Sequence, residues 1–136
     1  MKKYSFSKEE RLRQKKDFQK VYSNGKVLSS INNKLKVNYY FESSVNESGV
    51  KAAFVVSKKN GNAVWRNRLK RILRAAYRIS KPQFFEYCVD NNFLLYLIFS
   101  PKTLNQKLNK NIDQKFILDD LVDLLQKVKI KIEKHA

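Results

Sequence analysis

A run of basic residues without any acid is the feature that most constrains this chain. The segment 57–81 reads SKKNGNAVWRNRLKRILRAAYRISK, holds nine lysines or arginines, and lies in a window from Ser48 to Phe85 that has no Asp or Glu. On a helix at about 100° per residue, five of its apolar side chains fall on one stripe: Trp65, Leu69, Ile72, Ala76 and Ile79. The segment therefore predicts a helix with a core face and a cationic face, and not a disordered tail.

The cationic face is built from side chains at i, i+4 spacing, Arg66, Lys70, Arg74 and Arg78, with Arg68 and Arg71 to one side. Like charges at this spacing destabilise an isolated helix by roughly a few tenths of a kcal/mol per pair. Solvated helices usually mix both signs of charge, because Glu–Lys pairs stabilise them. A face without acids therefore favours nucleic acid as the partner.

The overall charge supports an anionic partner. The 136 residues carry a net charge of +17, from 29 basic and 12 acidic side chains. A charge of this size favours nucleic acid first and an anionic membrane surface second. The length predicts a single domain, residues 1–136, in which residues 1–14 and 133–136 are loosely ordered.

The single cysteine and the hydropathy pattern bear on where the protein works. Cys88 excludes an internal disulfide and fits a reducing compartment. No apolar run is long enough to span a bilayer, and the first residues lack the apolar stretch of a signal peptide. We therefore expect a cytoplasmic protein that does not enter a membrane.

The remaining pattern predicts alternating short helices and strands. We expect helices at 16–22, 63–79 and 112–132 and strands at 35–41, 50–57 and 93–100, with Pro82 stopping the second helix and residues 25–35 adding a partial strand. In the first strand, Leu35, Val37, Tyr39 and Phe41 make one face. The fold class is therefore α+β, a small mixed β-sheet packed with helices in the order α-β-β-α-β-α, with room for an extra short strand.

No catalytic site of the protein's own can be found in the sequence. The one histidine, His135, lies next to the end of the chain, and the acids of the last helix have the pattern of first-turn and surface charges. No carboxylate cluster suggests a two-metal nuclease, and no glycine loop suggests a phosphate cradle. We expect no metal site and no cofactor bound by the protein alone.

The basic segment closely resembles the signature of the bacterial ribonuclease P protein subunit. The motifs of that family occur here as Ser57-Lys58-Lys59, Gly61-Asn62-Ala63 and Arg66-Asn67-Arg68. Further similarity covers Arg11-Leu12-Arg13, Lys16-Asp17-Phe18 with Val21-Tyr22 and Gly25-Lys26, and Phe93–Pro101, whereas Ser29–Lys51 is less similar. The resemblance implies the ribonuclease P protein fold, a ribosomal protein S5 domain 2-like sandwich with a left-handed crossover at the basic helix. General chain rules would predict a right-handed crossover.

The same resemblance implies a function. The family's protein is the accessory subunit of ribonuclease P, an endoribonuclease that removes the 5′ leader of precursor tRNA. Its implied partners are the ribonuclease P catalytic RNA and precursor tRNA, and its implied catalytic centre and Mg²⁺ ions belong to the RNA. A compact protein of charge +17 would screen phosphate repulsion between two RNAs.

Two sets of site residues follow from the resemblance. The RNA-binding set of the basic motif comprises Lys58, Lys59, Asn62, Arg66, Asn67, Arg68, Lys70, Arg71, Arg74 and Arg78. The set that would line a leader-binding groove between the first helix and the sheet comprises Arg11, Arg13, Lys15, Phe18, Tyr22, Lys36, Asn38 and Tyr40. Core packing is the alternative for Phe18 and Tyr22, because aromatic residues at i, i+4 usually bury. Trp65 is expected in the core. The sequence does not decide which face of the first strand lines the groove.

Other partners can be set against this hypothesis. A non-catalytic ribosomal or other structural RNA-binding protein could use the same basic helix. A helix-turn-helix DNA binder would need a second helix a few residues before it, where VKAAFVVS is typical of a strand. A helix lying on an anionic membrane would have to expose its apolar stripe.

Overall fold

The computed structural model describes residues 10–43 and 47–135. Its helices and strands follow in the order α1 Lys15–Asn24, β1 Lys26–Ser29, β2 Leu35–Ser43, β3 Gly49–Phe54, a 3₁₀ turn Lys58–Asn60, α2 Ala63–Asp90, β4 Phe93–Pro101 and α3 Gln114–His135. This order confirms the α+β prediction, and β1 is the extra short strand.

The four strands form one mixed sheet in the order β1-β2-β4-β3. The pairs β1–β2 and β2–β4 are antiparallel, and β3 pairs with β4 in parallel. A parallel pair needs a long connection, and α2 supplies it between β3 and β4. The left-handed sense of this crossover stays a prediction.

The two faces of the sheet bury different clusters, because successive strand residues point to opposite sides. The main core lies between one face and helices α2 and α3, and includes Leu35, Val37 and Tyr39 of β2. The other face carries a smaller cluster under α1, made of Leu12, Val21, Leu94, Tyr96 and Ile98.

The junction between α1 and β1 depends on Gly25. Its N–H donates to the Val21 carbonyl at 2.8 Å and ends the helix. A Cβ at this position would lie 2.4 Å from the carbonyl oxygens of both Val21 and Tyr39. Only glycine therefore lets β1 leave the helix this close to β2.

Pro82 does not stop the basic helix, so the predicted end at residue 79 is wrong. Helix α2 continues to Asp90 with Pro82 inside it. An interior proline costs about 3 kcal/mol. The second half of the helix buries Phe84 and Cys88 in the main core and also buries Lys81. This burial offsets the cost of the proline, an effect that local sequence signals do not contain.

The apolar stripe of α2 also differs from the predicted one. Ile79 is 62% exposed, while Leu73 and Tyr77 are buried. The buried line instead advances four residues at a time, from Trp65 and Leu69 through Leu73 and Tyr77. Because a helix has about 3.6 residues per turn, a line of this spacing winds gradually around the helix and leaves Ile79 outside the core. The prediction that Trp65 is a core residue is confirmed.

Both ends of the described chain are more regular than expected. Glu10 is buried in an ion pair with Lys81, and the Leu12 N–H donates to the Ala52 carbonyl at 2.9 Å. Helix α3 extends through His135. Residues 1–9 and 136 lie outside the described residues. Within the described part of the chain, no helix is long and apolar enough to cross a membrane.

Asp120 contradicts the reading of the acids in α3 as surface charges. Its side chain is fully buried and accepts hydrogen bonds from the Ser30 hydroxyl at 2.6 Å, the Asn32 amide at 2.7 Å and the Lys34 N–H at 3.3 Å. The neighbouring Asp123 accepts from the Ile31 N–H at 2.9 Å. These bonds fasten the β1–β2 turn to α3.

Candidate nucleic-acid interface

The start of α2 is fixed by local hydrogen bonds. The Asn62 side chain caps the helix by accepting from the Trp65 N–H at 2.9 Å, which satisfies a donor that the first turn leaves without a partner. The Trp65 indole is buried and donates from Nε1 to the Asn109 carbonyl at 2.9 Å. Asn62, placed in the RNA-binding set, therefore also has a structural role.

The exposed face of α2 is centred beside the predicted one. Arg66, Lys70, Arg74 and Arg78 are half-buried and flank the core. The exposed members of the basic motif are Lys58, Lys59, Asn62, Asn67, Arg68 and Arg71. The centre of the cationic surface therefore lies at Arg68 and Arg71.

The charges of this surface are not neutralised by the protein. None of the eight lysines and arginines of the basic motif forms an ion pair with an acid of the described chain. Arg66 is held by a bond from Nε to the Gly61 carbonyl at 3.1 Å, and the buried Nε of Arg78 has no hydrogen-bond partner among the described residues. The element before α2 is a strand and a 3₁₀ turn, so the helix-turn-helix alternative is wrong.

A second surface lies where α1 crosses the sheet. Phe18 is half-buried against the small cluster, whereas Tyr22, one helical turn later, is 53% exposed. Partial burial raises the pKa of the Tyr22 hydroxyl above its usual value. Tyr22 is therefore not part of the buried core, whereas Phe18 packs in part against it, and a role of either side chain in leader binding stays a prediction.

The sheet side of this surface resolves the open register of β2. Tyr39 is buried in the main core, so Lys36, Asn38 and Tyr40 share the opposite face with α1. All three are half-buried, and Tyr40 stacks on Tyr96 of β4 with ring centroids 6.0 Å apart. The predicted groove residues of the strand therefore lie on the α1 side.

Tyr96 was not singled out, because the continuous apolar pattern of β4 hides which of its residues face α1. Its hydroxyl donates to Glu42 at 3.2 Å, and the Lys20 ammonium lies 5.6 Å from its ring centre. Burial, and then the nearby Glu42 carboxylate, raises the pKa of Tyr96. Tyr96 is almost fully buried, and the ring of Tyr40 packs against it.

The basic groove residues before α1 lie along the edge of the sheet. Arg11 forms a parallel bridge with Ala52 of β3, and Arg11, Arg13 and Lys15 are exposed. Arg11 pairs with Ala52 of the main core, on the α2 side of the sheet, whereas Leu12 lies in the small cluster under α1. The structure thus brings α1, which begins at Lys15, and the Lys36, Asn38 and Tyr40 side of β2 to one face, and it does not place Arg11 there. The basic helix α2 packs against the other face of the sheet.

Comparison with known proteins decides the family. The model of the family described as Ribonuclease P matches residues 6–129. The chain belongs to the ribonuclease P protein family. It is 33% identical over 124 residues to the ribonuclease P protein component of Petrotoga mobilis, covering 91% of this chain and 95% of that protein. It is 34% identical over 125 residues to that of Clostridium botulinum, covering 90% and 97%.

Not every match is as long, and solved structures agree on the fold. The Clostridium novyi component is 40% identical, but the match spans 54% of this chain and 62% of that protein. The Staphylococcus aureus RNase P protein superposes with a TM-score of 0.66 at 24% identity, covering 88% of this chain and 95% of the other. The Thermotoga maritima protein gives 0.63 at 26%, covering 87% and 96%. These structures confirm the fold class of this ribonuclease P family member.

The side chains of the cationic surface determine whether it could hold a metal ion. Among the described residues, no three His, Cys, Asp or Glu side chains come together in a group that could hold a metal ion. The exposed face of α2 offers ammonium and guanidinium groups, which repel the cation, whereas Mg²⁺ prefers oxygen ligands. The residues of this surface therefore do not fit the Mg²⁺ that the family implies.

One basic element near α2 was missed. The segment 102–113 between β4 and α3, here called the lysine loop, packs against the start of α2. Its lysines are spread over many residues and show no helical period, so the only signal was the absence of acids between Asp90 and Asp113.

Proposed function

We propose that the protein is the accessory subunit of ribonuclease P in tRNA 5′ maturation. It binds the catalytic RNA through the exposed basic face of α2. It binds the 5′ leader of precursor tRNA in the groove between α1 and the sheet. The holoenzyme then removes the leader in a reaction that depends on Mg²⁺, and it works in the cytoplasm, where the precursors are made.

The observation that carries this proposal is the unpaired charge on a rigid helix. The eight lysines and arginines of the basic motif form no ion pair with a described acid, and the exposed ones include Arg68 and Arg71 at the centre of the helix face. A protein that neutralises phosphates in this way releases counterions and gains affinity for RNA. Arginine adds a planar fork that can bind phosphate in two places.

The groove explains how one small protein could bind a second RNA. It lies across the sheet from α2 and combines the exposed Tyr22, the half-buried Tyr40 and Lys36, and the exposed Lys15 at the start of α1. Aromatic side chains next to cations are the usual means of binding a single strand. A leader is single-stranded, whereas mature tRNA lacks it, so the groove would distinguish substrate from product.

The chemistry of cleavage is assigned to the RNA partner. The Mg²⁺ of the reaction supplies charge stabilisation and an activated water when it is bound by the RNA. The protein's residues bind and orient the two RNAs and lower the repulsion between them. The alternative, a ribosomal or other structural RNA-binding role, requires only the basic face of α2. It does not account for a second surface that combines aromatic and basic side chains.

The test is cleavage of a precursor tRNA at low Mg²⁺ in three parallel reactions. One contains the protein alone, one a ribonuclease P RNA alone, and one both. We expect leader removal only where both are present. Leader removal by highly purified protein alone would refute the assignment of catalysis to the RNA, and an inactive mixture would refute the accessory role.

A further inference from the structure

The lysine loop continues the basic surface beyond α2. It carries Lys102, Lys107 and Lys110, and its only acid is Asp113 at the last position before α3. Lys102, Lys107 and Lys110 are all exposed. Lys102 Nζ donates to the Ser29 hydroxyl at 2.8 Å, and no described acid pairs with Lys107 or Lys110, whose charges are therefore available to a ligand.

The loop is held against the basic motif by backbone and amide hydrogen bonds. The Gln106 N–H donates to the Asn60 carbonyl at 2.7 Å, and the Asn62 N–H donates to Gln106 Oε1 at 2.8 Å. The Asn60 amide donates to the Leu104 carbonyl at 3.1 Å, and the bond from Trp65 to Asn109 fixes the far side. The loop and the start of α2 therefore form one rigid unit.

Gly61 makes this close packing possible. A Cβ at position 61 would lie 2.8 Å from the Trp65 ring, 2.9 Å from Gln106 Cβ and 3.0 Å from Gln106 Oε1. Gln106 fills the space that a side chain at Gly61 would need. The glycine of the basic motif thus serves to seat the lysine loop.

An open cleft of about 530 Å³ lies between the two parts. Its walls are Lys59, Asn60, Gly61, Asn105, Gln106 and Lys107. The acceptor oxygens of its amides are already used, since Asn60 Oδ1 accepts from the Ser57 hydroxyl at 2.7 Å and Asn105 Oδ1 from the Leu108 N–H at 2.9 Å. Gln106 Oε1 is also used, which leaves its NH₂ group as a donor.

The cleft therefore offers donors and positive charge without a competing carboxylate in its walls. Two ammonium groups and an amide suit the oxygens of a phosphate, which accept hydrogen bonds and carry negative charge. The exposed cations of α2 continue from its edge, so a ligand with regularly spaced charges gains more than a single anion.

We propose that this cleft binds the phosphodiester backbone of RNA and extends the interface from α2 onto the lysine loop. The inference rests on the proposed function, because it takes the RNA to be bound at α2. It adds Gln106 and Lys107 to the interface, with Gly61 as a positioning residue.

The experiment measures the affinity of the full-length protein for a ribonuclease P RNA and, separately, for a precursor tRNA over a range of salt concentrations. The cleft variant carries Lys59→Gln and Lys107→Gln. The matched control carries Lys131→Gln and Lys134→Gln, which remove the same charge from the last turns of α3, roughly 25 Å along that helix from its start. Arg68→Ala reports on α2, and melting temperatures check the fold of each variant.

We expect the cleft variant to bind about 15- to 30-fold more weakly near 0.15 M salt and to lose roughly 1.4 to 1.8 from the slope of log affinity against log salt. The control should stay within about twofold, because its charges lie beyond the screening length. If the cleft variant loses affinity for only one of the two RNAs, that RNA supplies the backbone that the cleft binds. If it loses affinity for both, the cleft accepts either RNA.

Gly61→Ala tests the geometry without changing any charge. We expect it to weaken RNA binding in the same direction, because the added methyl group displaces Gln106. If the cleft variant binds like the control while Arg68→Ala binds weakly, the cleft proposal is refuted and the role of α2 stands. If the wild-type protein binds neither RNA, the proposed function fails and the cleft proposal with it.

Discussion

Tyr22 offers the sharpest test of the groove, because it and Phe18 lie one helical turn apart in different surroundings. Tyr22 is 53% exposed, while Phe18 packs on the small cluster under α1. Full burial of a large apolar side chain stabilises a protein by about 1.5–3 kcal/mol. Since half of Tyr22 is already in water, Tyr22→Ala should cost about 1 kcal/mol of folding stability or less, a fall of about 4 °C in melting temperature.

Binding of the leader should suffer more than folding. Stacking of a base on an aromatic side chain is worth roughly 1–3 kcal/mol, which is about 5- to 150-fold in affinity. The assay compares the affinity of the reconstituted holoenzyme for precursor tRNA with its affinity for mature tRNA. We expect Tyr22→Ala to lose affinity for the precursor alone.

Two further variants separate stacking from packing. Tyr22→Phe keeps the ring and should keep most of the affinity. Phe18→Ala should lower the melting temperature more than Tyr22→Ala, because it removes part of the cluster. If Tyr22→Ala weakens binding of both tRNAs equally and lowers the melting temperature by much more than predicted, then Tyr22 is a packing residue and the groove assignment is refuted.

Three other predictions test different parts of the molecule. Arg68→Ala should fold normally, weaken assembly with the catalytic RNA and reduce its salt dependence by roughly one counterion; unchanged assembly at every salt concentration would contradict this. Lys81→Met should cost about 3–5 kcal/mol in urea denaturation, because it removes the ammonium that pairs with the buried Glu10 carboxylate, and Glu10→Leu in the same chain should recover part of the loss. Burial raises the pKa of Cys88 to about 12, so a thiol reagent at pH 8 should label the protein only after unfolding, and rapid labelling of the native protein would be the contrary result.

The elements that were predicted correctly are those whose pattern lies within a short stretch of sequence. The alternation of Leu35, Val37 and Tyr39 with polar neighbours gave both the strand and its two faces. The basic helix was readable because its charges and apolar residues repeat at helical spacing. The side of β2 that faces α1 could not be read, because both faces contain a tyrosine and only the packing of α1 separates them.

The features that were missed depend on contacts between distant residues. Pro82 lies inside a helix because Phe84 and Cys88 bury in the main core, which no local signal records. The sequence pattern of α3 is that of a surface acid at Asp120. The hydrogen bonds that let this side chain be buried come from the β1–β2 turn, about 90 residues earlier in the chain. The lysine loop contacts the basic motif through Gln106 and Asn62, which are 44 residues apart in the sequence.

We propose that this protein makes an RNA-based reaction possible at low Mg²⁺ by neutralising phosphate charge. The most direct measurement is the rate of leader removal by a ribonuclease P RNA as a function of Mg²⁺ concentration, with and without the protein, at fixed monovalent salt. We predict that the protein shifts the midpoint of this curve to lower Mg²⁺ and that Arg68→Ala shifts it less. If the curves with and without the protein superimpose while the protein is shown to be bound to the RNA, the protein does not act by neutralising phosphate charge.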